Sequence, residues 1–173
     1  MDLRQVLTEH LKTILKVLQE LDADHALAGG LAYSALVEPR ATVDIDMLIM
    51  MQNNSMQNFF QLLEKYFESL EVHEKPKQFH FVKIWRAVGF ENDHDIILDF
   101  LLAESRFHRN VLERAIEVDF MGMPVKIMTL EDLILFKKCA NQPRDIADLT
   151  NIYALFDNEI DDDYVKFWSY ELG

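Results

Sequence analysis

The stretch that organises this chain is Ala26-Leu-Ala-Gly-Gly-Leu-Ala-Tyr-Ser-Ala-Leu-Val-Glu-Pro-Arg-Ala-Thr-Val-Asp-Ile-Asp-Met-Leu-Ile49. It predicts a short apolar strand over residues 26–28, a diglycine turn, and a short helix that Pro39 ends. A second strand follows and opens with two aspartates at alternate positions. Because side chains alternate between the two faces of a strand, we expect Asp44 and Asp46 to project from the same face.

Two carboxylates on one strand face indicate a cation site. Like charges a few ångströms apart raise one another's pKa and resist joint ionisation. A hard divalent cation such as Mg2+ removes that cost and prefers carboxylate oxygens. Asp44 and Asp46 are therefore predicted metal ligands.

The diglycine, Gly29 and Gly30, suits a phosphate group. Glycine lets the backbone turn tightly and approach a ligand closely. The helix that follows presents free N–H groups at its positive end. A triphosphate held there, with its metal ions on the two aspartates, would be placed for phosphoryl or nucleotidyl transfer.

Taken together, these features resemble the DNA polymerase beta-like nucleotidyltransferase superfamily, whose signature is an apolar residue, Gly-Gly or Gly-Ser, a gap, and then Asp-x-Asp. The gap from Gly30 to Asp44 has the expected size. The lead-in from Arg40 to the aspartates is similar to that of minimal bacterial members, which include AbiEii-like abortive-infection toxins and related toxin–antitoxin nucleotidyltransferases. The resemblance covers roughly residues 20–150.

The resemblance implies a third carboxylate from a neighbouring strand, and the apolar strand predicted over residues 94–102 contains Asp99. An acid between Leu98 and Phe100 is expensive to bury without a partner. Asp99 is therefore the predicted third metal ligand. Asp95 shares its strand face but is predicted to lie at the surface.

In the C-terminal half, the resemblance implies that a helix carrying a lysine precedes an Arg-Asp-x-x-Asp-Leu helix. Lys137 matches the lysine that points toward the nucleotide, where an ammonium neutralises phosphate charge, and Lys138 is the alternative in register. Arg144, Asp145 and Asp148 either serve the site or pair with one another or with Lys137 to lock the two helices.

Three residues near the aspartates have two readings each. Arg40 is expected to pair with either a phosphate or a buried carboxylate. Thr42 either contributes to nucleotide binding or bonds the local backbone. Ser34 lies further from the diglycine than the serine that helps hold phosphate in other superfamily members, so a phosphate contact is the less favoured reading.

Composition restricts the partners. The 173 residues are 50% hydrophobic, enough for a real core. The net charge of -13 argues against a broad electrostatic grip on DNA or RNA. A basic group remains that is read either as a contact for a tRNA end or, by preference, as a solvated hairpin face; its members are Lys75, Lys77, Lys83 and Arg86.

Other sequence features suggest a reducing compartment and few further sites. A lone cysteine, Cys139, excludes an internal disulfide framework. The absence of a long apolar stretch and of a signal-peptide pattern predicts a cytoplasmic protein without a membrane segment. The acidic run 157–163 lacks the glycine and terminal acid of a calcium loop and is predicted to be a solvated turn and helix start.

The periodicity of the remaining segments completes the predicted fold. Helices are expected over residues 2–21 and 55–70, and a loop over 71–78. A strand is expected over residues 79–87, in which the apolar Phe79, Phe81 and Trp85 alternate with the polar His80, Lys83 and Arg86. After a turn and the strand 94–102, the chain is expected to form a helix to Ala115, a small hairpin over 117–127, and two further helices from residue 130.

These observations predict an α/β (α+β) nucleotidyltransferase fold, a mixed sheet flanked by helices with a helical C-terminal part. A single domain over residues 1–173 is expected, with a core at about 20–128 and C-terminal helices at about 129–173. The resemblance implies an enzyme that moves a nucleoside monophosphate from an NTP to an acceptor hydroxyl and releases pyrophosphate. Two Mg2+ ions would be its cofactors.

Within that reading, each candidate residue has a role implied by the resemblance. The catalytic and metal-binding residues are Asp44, Asp46 and Asp99, and the nucleotide-binding residues are Gly29, Gly30, Arg40, Thr42 and Lys137. A tRNA end, a protein side chain and a small molecule such as an aminoglycoside all remain open as acceptors, and a cognate antitoxin is a candidate partner. The alternative is a non-catalytic, antitoxin-like or regulatory member that keeps the fold and binds a partner.

Overall fold

The computed structural model describes residues 2–173, which form seven α-helices, eight strands and a 3-10 turn. The helices are α1 (Leu3–Glu20), α2 (Gly29–Leu36), α3 (Asn53–Glu64), α4 (Arg106–Arg114), α5 (Leu130–Ala140), α6 (Pro143–Phe156) and α7 (Asp162–Leu172). The strands are β1 (Asp24–Leu27), β2 (Asp44–Met50), β3 (Ser69–Val72), β4 (Lys77–Phe79), β5 (Val82–Glu91), β6 (His94–Leu102), β7 (Ile116–Phe120) and β8 (Met123–Ile127).

One mixed sheet contains these strands, in the order β3-β5-β6-β2-β1-β8-β7, with β4 paired to β5. The central strands β2 and β6 are parallel, while β5 runs antiparallel to β6. Central strands are covered on both faces, and Ile45, Met47 and Leu48 of β2 are accordingly fully buried. An aspartate in such a strand is the exception that marks a site.

The two faces of the sheet have different roles. Helix α3 packs its aromatic side chains on one face, where Phe59 contacts Phe100 edge-on at 4.9 Å between ring centroids and Phe60 contacts Trp85 at 5.5 Å. Because side chains alternate along a strand, the neighbours of Phe100 and Trp85 point to the other face. Helices α2 and α5 lie on that second face and leave a cavity beneath them.

Two predicted elements differ from the structure. The helix predicted over 55–70 ends at Glu64, and Ser69–Val72 forms β3, because pairing with residues 87–90 of β5 outweighs the local helical period. The loop predicted over 71–78 is therefore shorter, since β3 takes its first two residues and β4 begins at Lys77. The strand predicted over 79–87 is also wrong in its limits. His80 adopts a left-handed conformation (φ 49°) in a turn, so that Phe79 ends β4 and the long strand runs over Val82–Glu91.

The C-terminal helices begin as their sequences predict. The Thr129 hydroxyl accepts a hydrogen bond from the Asp132 backbone N–H (3.3 Å) at the start of α5. The acidic run 157–163 forms a 3-10 turn and then caps α7 through Asp161, which accepts from the Tyr164 N–H at 3.0 Å. No helix within residues 2–173 combines the length and apolar character that crossing a membrane requires.

Candidate active site

Three aspartates meet on the second face of the sheet. The parallel register of β2 and β6 sets Asp46 directly beside Asp99, and Asp44 lies two residues earlier on the same face of β2. On the other side of β2, the Ala28 backbone N–H donates to the Asp46 carbonyl at 2.9 Å. All three carboxylates line a cavity of about 320 Å³ that also contains the diglycine.

The two carboxyl groups of β2, Asp44 and Asp46, both have raised pKa values. Burial raises the pKa of Asp44, and the nearby charge of Asp99 raises it further. The Asp46 side chain is half-buried at the cavity, and burial raises its pKa to about 7, with Asp99 and Asp44 adding to the shift. A bound cation would reverse both shifts because it favours the ionised form.

The diglycine fits tightly against the acids. Gly29 has a φ of +60°, and a Cβ added there would lie 2.9 Å from the Asp46 Cβ and closer still to its carboxylate. A Cβ on Gly30 would lie 3.0 Å from both the Arg40 Nη2 and the Thr42 Oγ1. The left-handed conformation and the close approach both require glycine at position 29.

Arg86 is the residue that sequence reasoning missed. Its Nε donates to the Asp99 Oδ1 at 2.8 Å and its Nη2 to the Asp99 Oδ2 at 2.7 Å, a two-point ion pair that raises the pKa of the guanidinium. Arg86 lies in the predicted hairpin and is 44% exposed, but it faces the cavity and pairs with Asp99, whereas the sequence favoured a solvated face. The sequence predicts a turn over residues 89–93, and the structure narrows it to two residues, Asn92 and Asp93, which sets Arg86 opposite Asp99.

This ion pair affects how a metal fits. Among residues 2–173, no group of three or more His, Cys, Asp or Glu side chains is arranged so that it could hold a metal ion. Arg86 occupies both oxygens of Asp99, whereas within the described chain the buried Asp44 Oδ1 has no hydrogen-bond partner. Asp44 and Asp46 therefore fit a divalent cation in chemistry and placement, and Asp99 can join them if Arg86 releases it.

A second charged group lies between α5, α6 and the loop before β2. The buried Lys137 ammonium donates to Asp148 at 2.6 Å and to Asp145 at 3.3 Å, and Arg40 pairs with Asp148 at 3.3 Å. Both cations lie over the Tyr33 ring: the Arg40 Cζ is 5.5 Å and the Lys137 Nζ 5.6 Å from the ring centroid. Of the two readings for Asp145 and Asp148, the structure contains the one in which they pair with Lys137.

Arg40 retains unused hydrogen-bonding capacity. In the part of the chain that the structure describes, its buried Nε and Nη1 find no acceptor, although its Nη2 reaches Asp148. Buried donors without partners are costly. An anion in the cavity, which Arg40 and Lys137 both line, would satisfy them.

The other candidates separate into residues in the cavity and residues outside it. Thr42 lines the cavity, and its Oγ1 also accepts a hydrogen bond from the Asp44 N–H at 3.3 Å. Ser34 instead bonds to the Gly30 carbonyl at 3.0 Å and to the Arg40 backbone, which ties the loop to α2. Lys138 is exposed, so Lys137 is the lysine of the cavity, and Arg144 lines the same cavity.

The mixed sheet with a glycine turn before its Asp-x-Asp strand and helices at its C-terminus is the nucleotidyltransferase fold. The chain belongs to the family described as nucleotidyltransferase of unknown function (DUF6036), whose sequence pattern matches residues 5–171. No curated protein sequence matches the chain significantly.

Solved structures share the fold at low sequence identity. ANT(2")-Ia in complex with adenylyl-2"-tobramycin is 16% identical with a TM-score of 0.63, over 96% of this chain and 97% of that one. The lincosamide antibiotic adenylyltransferase LnuA, bound to lincomycin, is 18% identical with a TM-score of 0.57, over 83% and 94%. A nucleotidyltransferase-like protein from Paracoccidioides brasiliensis is 20% identical with a TM-score of 0.55, over 84% and 75%.

Proposed function

We propose that this protein is a metal-dependent nucleotidyltransferase that moves a nucleoside monophosphate from an NTP to an acceptor hydroxyl. The observation that carries the proposal is the convergence of Asp44, Asp46 and Asp99 on one cavity against Gly29. Membership of a nucleotidyltransferase family agrees with it. Two solved neighbours, named for adenylyl-tobramycin and lincosamide adenylylation, support the same reaction class.

The triphosphate would lie at the start of α2. Gly29 and Gly30 bring the backbone close to the ligand, and the helix that they begin directs its N–H groups toward a negative charge. The free donors of Arg40 and the ammonium of Lys137 lie on the same side of the cavity. Their positive charge would neutralise the phosphates and the charge that develops on the leaving pyrophosphate.

The metal site would use the carboxylates of Asp44 and Asp46, with Asp99 as the third ligand. Bound Mg2+ would neutralise the triphosphate and favour ionisation of the attacking hydroxyl. Arg86 holds Asp99 in the absence of a cation and compensates its buried charge. We expect the guanidinium to release Asp99 when the full metal site forms, which its 44% exposed side chain permits without repacking the core.

In the transfer itself, the acceptor oxygen forms a bond to the α-phosphorus as the bond from that phosphorus to the pyrophosphate oxygen breaks. Asp99 lies beside Asp46 on the strand further from the diglycine and would orient the hydroxyl and take its proton. Pyrophosphate leaves toward the side of Arg40 and Lys137. The two products are the nucleotidylated acceptor and pyrophosphate.

The test is label transfer from α-labelled NTPs in the presence of Mg2+, with total RNA, cell extract proteins and small alcohols as separate acceptors. Wild-type chain should transfer label to at least one acceptor class and release pyrophosphate. Asp44→Ala should abolish both, and EDTA should do the same to the wild type. Phosphate release without any labelled acceptor would indicate hydrolysis instead.

The non-catalytic alternative has one observation in its favour, since the Arg86–Asp99 ion pair satisfies the third acid without a metal. Against it stand an Asp44 oxygen and two Arg40 nitrogens that have no hydrogen-bond partner among residues 2–173, which a chain selected only for partner binding has no reason to keep. Tight binding to a protein partner, with no binding of NTP and Mg2+, would favour the alternative. The toxin–antitoxin role stays a prediction from the sequence resemblance.

A further inference from the structure

We infer that the cavity carries a separate acceptor subsite that takes a small hydroxylated molecule with an aromatic or apolar body and not a polycation. This inference rests on the proposed function, because it assigns the part of the cavity that the nucleotide does not use. The subsite is an apolar wall formed by Phe79, Phe81, Val82, Ile84, Leu101 and Phe136.

The wall lies on the acceptor side of the three acids. In-line transfer requires the acceptor hydroxyl to approach opposite the leaving pyrophosphate. The pyrophosphate end is fixed by the diglycine at the end of β1, on one side of β2. The wall begins on the other side of β2, on β5 and β6. There Ile84 pairs with Leu101, and this pair lies two residues along the strands, on the same face, from the pair of Arg86 and Asp99.

The wall is preformed by the fold. The rings of Phe81 and Phe136 meet edge to face, with 5.1 Å between their centroids. The Phe107 ring packs behind both, with its centroid 5.4 Å from that of Phe81 and 5.8 Å from that of Phe136. Rings held in place on several sides lose little conformational freedom when a ligand binds. Phe79 closes the rim at 37% exposure, so an apolar ligand would cover surface that water now contacts.

The charges of the cavity do not favour a cationic acceptor, even though the whole chain has a net charge of -13. Its acidic lining residues are Asp44, Asp46, Asp99 and Asp145, and its basic lining residues are Arg40, Arg86, Lys137 and Arg144. The two sets are equal in number, and of the charged residues that line the cavity from β5, the one nearest the wall is the cation Arg86. A molecule with several ammonium groups would find no surplus of carboxylates there.

The experiment uses the full chain with Mg2+ and the α,β-methylene analogue of whichever NTP binds best, so that no transfer occurs. Three probes are added separately: 2-phenylethanol as the aromatic alcohol, tobramycin as the polycation, and glycerol as a polar alcohol. Saturation-transfer NMR detects the bound probe, and titration gives its Kd. Nucleotide binding is measured in parallel by calorimetry.

Two variants of the wall, Phe79→Ser and Ile84→Asn, test whether it binds the acceptor. The matched control is Phe90→Ser, which removes an aromatic side chain of similar exposure (36%) from β5 outside the cavity lining. We expect 2-phenylethanol to bind, and each wall variant to weaken it roughly tenfold, the size of effect seen when a hydrophobic pocket loses a contact. The analogue Kd should change less than about twofold, and Phe90→Ser should change neither.

The possible results separate the two proposals. Wall variants that weaken the analogue and spare 2-phenylethanol would assign the wall to the nucleobase and overturn the inference. Binding of tobramycin without binding of the aromatic alcohol would overturn it as well. An analogue that binds while 2-phenylethanol does not would refute the acceptor subsite alone, whereas failure of every analogue to bind would refute the proposed function on which it rests.

Discussion

Replacing Gly29 by alanine tests how closely the glycine turn and the metal site depend on each other. The backbone at Gly29 has a φ of +60°, which costs an L-residue about 1–2 kcal/mol. For a chain of this length, each kcal/mol corresponds to a fall in Tm of about 2–4 °C. Gly29→Ala should therefore fold, with a modestly lower Tm.

The larger effect should be on the site. An added Cβ lies 2.9 Å from the Asp46 Cβ, whereas ordinary contact begins at 3.4 Å. Because a Cβ moves only with its backbone, α2 and β2 must separate there by about 0.5 Å (3.4 − 2.9). The carboxylate, which the new methyl group meets even more closely, must move further. Misplacement of a reacting group by about 1 Å can cost roughly 100-fold in rate, and we expect a loss of that order in nucleotidyl transfer.

The chain offers a matched control in Gly122→Ala. Gly122 has a similar φ of +75° in the β7–β8 turn, but no heavy atom lies within 4 Å of the position of its added Cβ. In EDTA, Gly29→Ala should lose more stability than Gly122→Ala, because only its Cβ also overlaps Asp46. Thermal denaturation with Mn2+ and the α,β-methylene NTP analogue should then stabilise Gly122→Ala as it does the wild type, and Gly29→Ala much less. Equal stabilisation of the two variants by metal and nucleotide would refute the coupling of Gly29 to Asp46.

The charges of the site give four further predictions. Arg86→Gln leaves Asp99 without a counter-ion and should lower the free energy of unfolding in EDTA by about 1–2 kcal/mol, a modest loss because the guanidinium is half exposed. Mn2+ should restore more stability to this variant than to the wild type, and an unchanged Tm in both conditions would contradict this. Because the pKa of Asp46 is about 7, binding of Mg2+ at pH 6.5 should release about 0.8 proton, and almost none at pH 8.5, as read by calorimetry in buffers of different ionisation enthalpy. The same raised pKa makes the contribution of this group to stability largest below about pH 4 and lost as the pH rises through about 7, so Asp46→Asn should be more stable than the metal-free wild type at pH 8. Lys137→Met leaves buried carboxylates unpaired and should lower the free energy of unfolding by about 3–5 kcal/mol in urea titrations, and a loss below about 1 kcal/mol would show that Arg40 alone compensates them.

The local chemistry of the site could be predicted from the sequence. Alternation along β2 placed Asp44 and Asp46 on one face, and an acid within an apolar strand identified Asp99 as the third carboxylate of the group. The two adjacent glycines identified the tight turn before the helix, where Gly29 has a positive φ. Each of these inferences rests on a residue type that is costly in its position without a specific reason.

The features that sequence reasoning missed depend on non-local pairing. Whether Arg86 faces the acids depends on the register of β5 against β6, and the two-residue turn at Asn92-Asp93 sets that register. The strand Ser69–Val72 exists only because β5 offers it an edge. A shift of one residue in register moves every side chain to the other face, so the polar pattern of one strand could not by itself place Arg86 beside Asp99.

The most direct test of the account is a crystal structure of the chain with Mn2+ and an α,β-methylene NTP analogue, with the metal located by its anomalous scattering. We expect an anomalous peak in contact with the carboxylates of Asp44 and Asp46, phosphates against Gly29 and Gly30, and Arg86 separated from Asp99. An intact Arg86–Asp99 ion pair with no metal at the aspartates, in crystals that contain the nucleotide analogue elsewhere, would contradict the proposed active site.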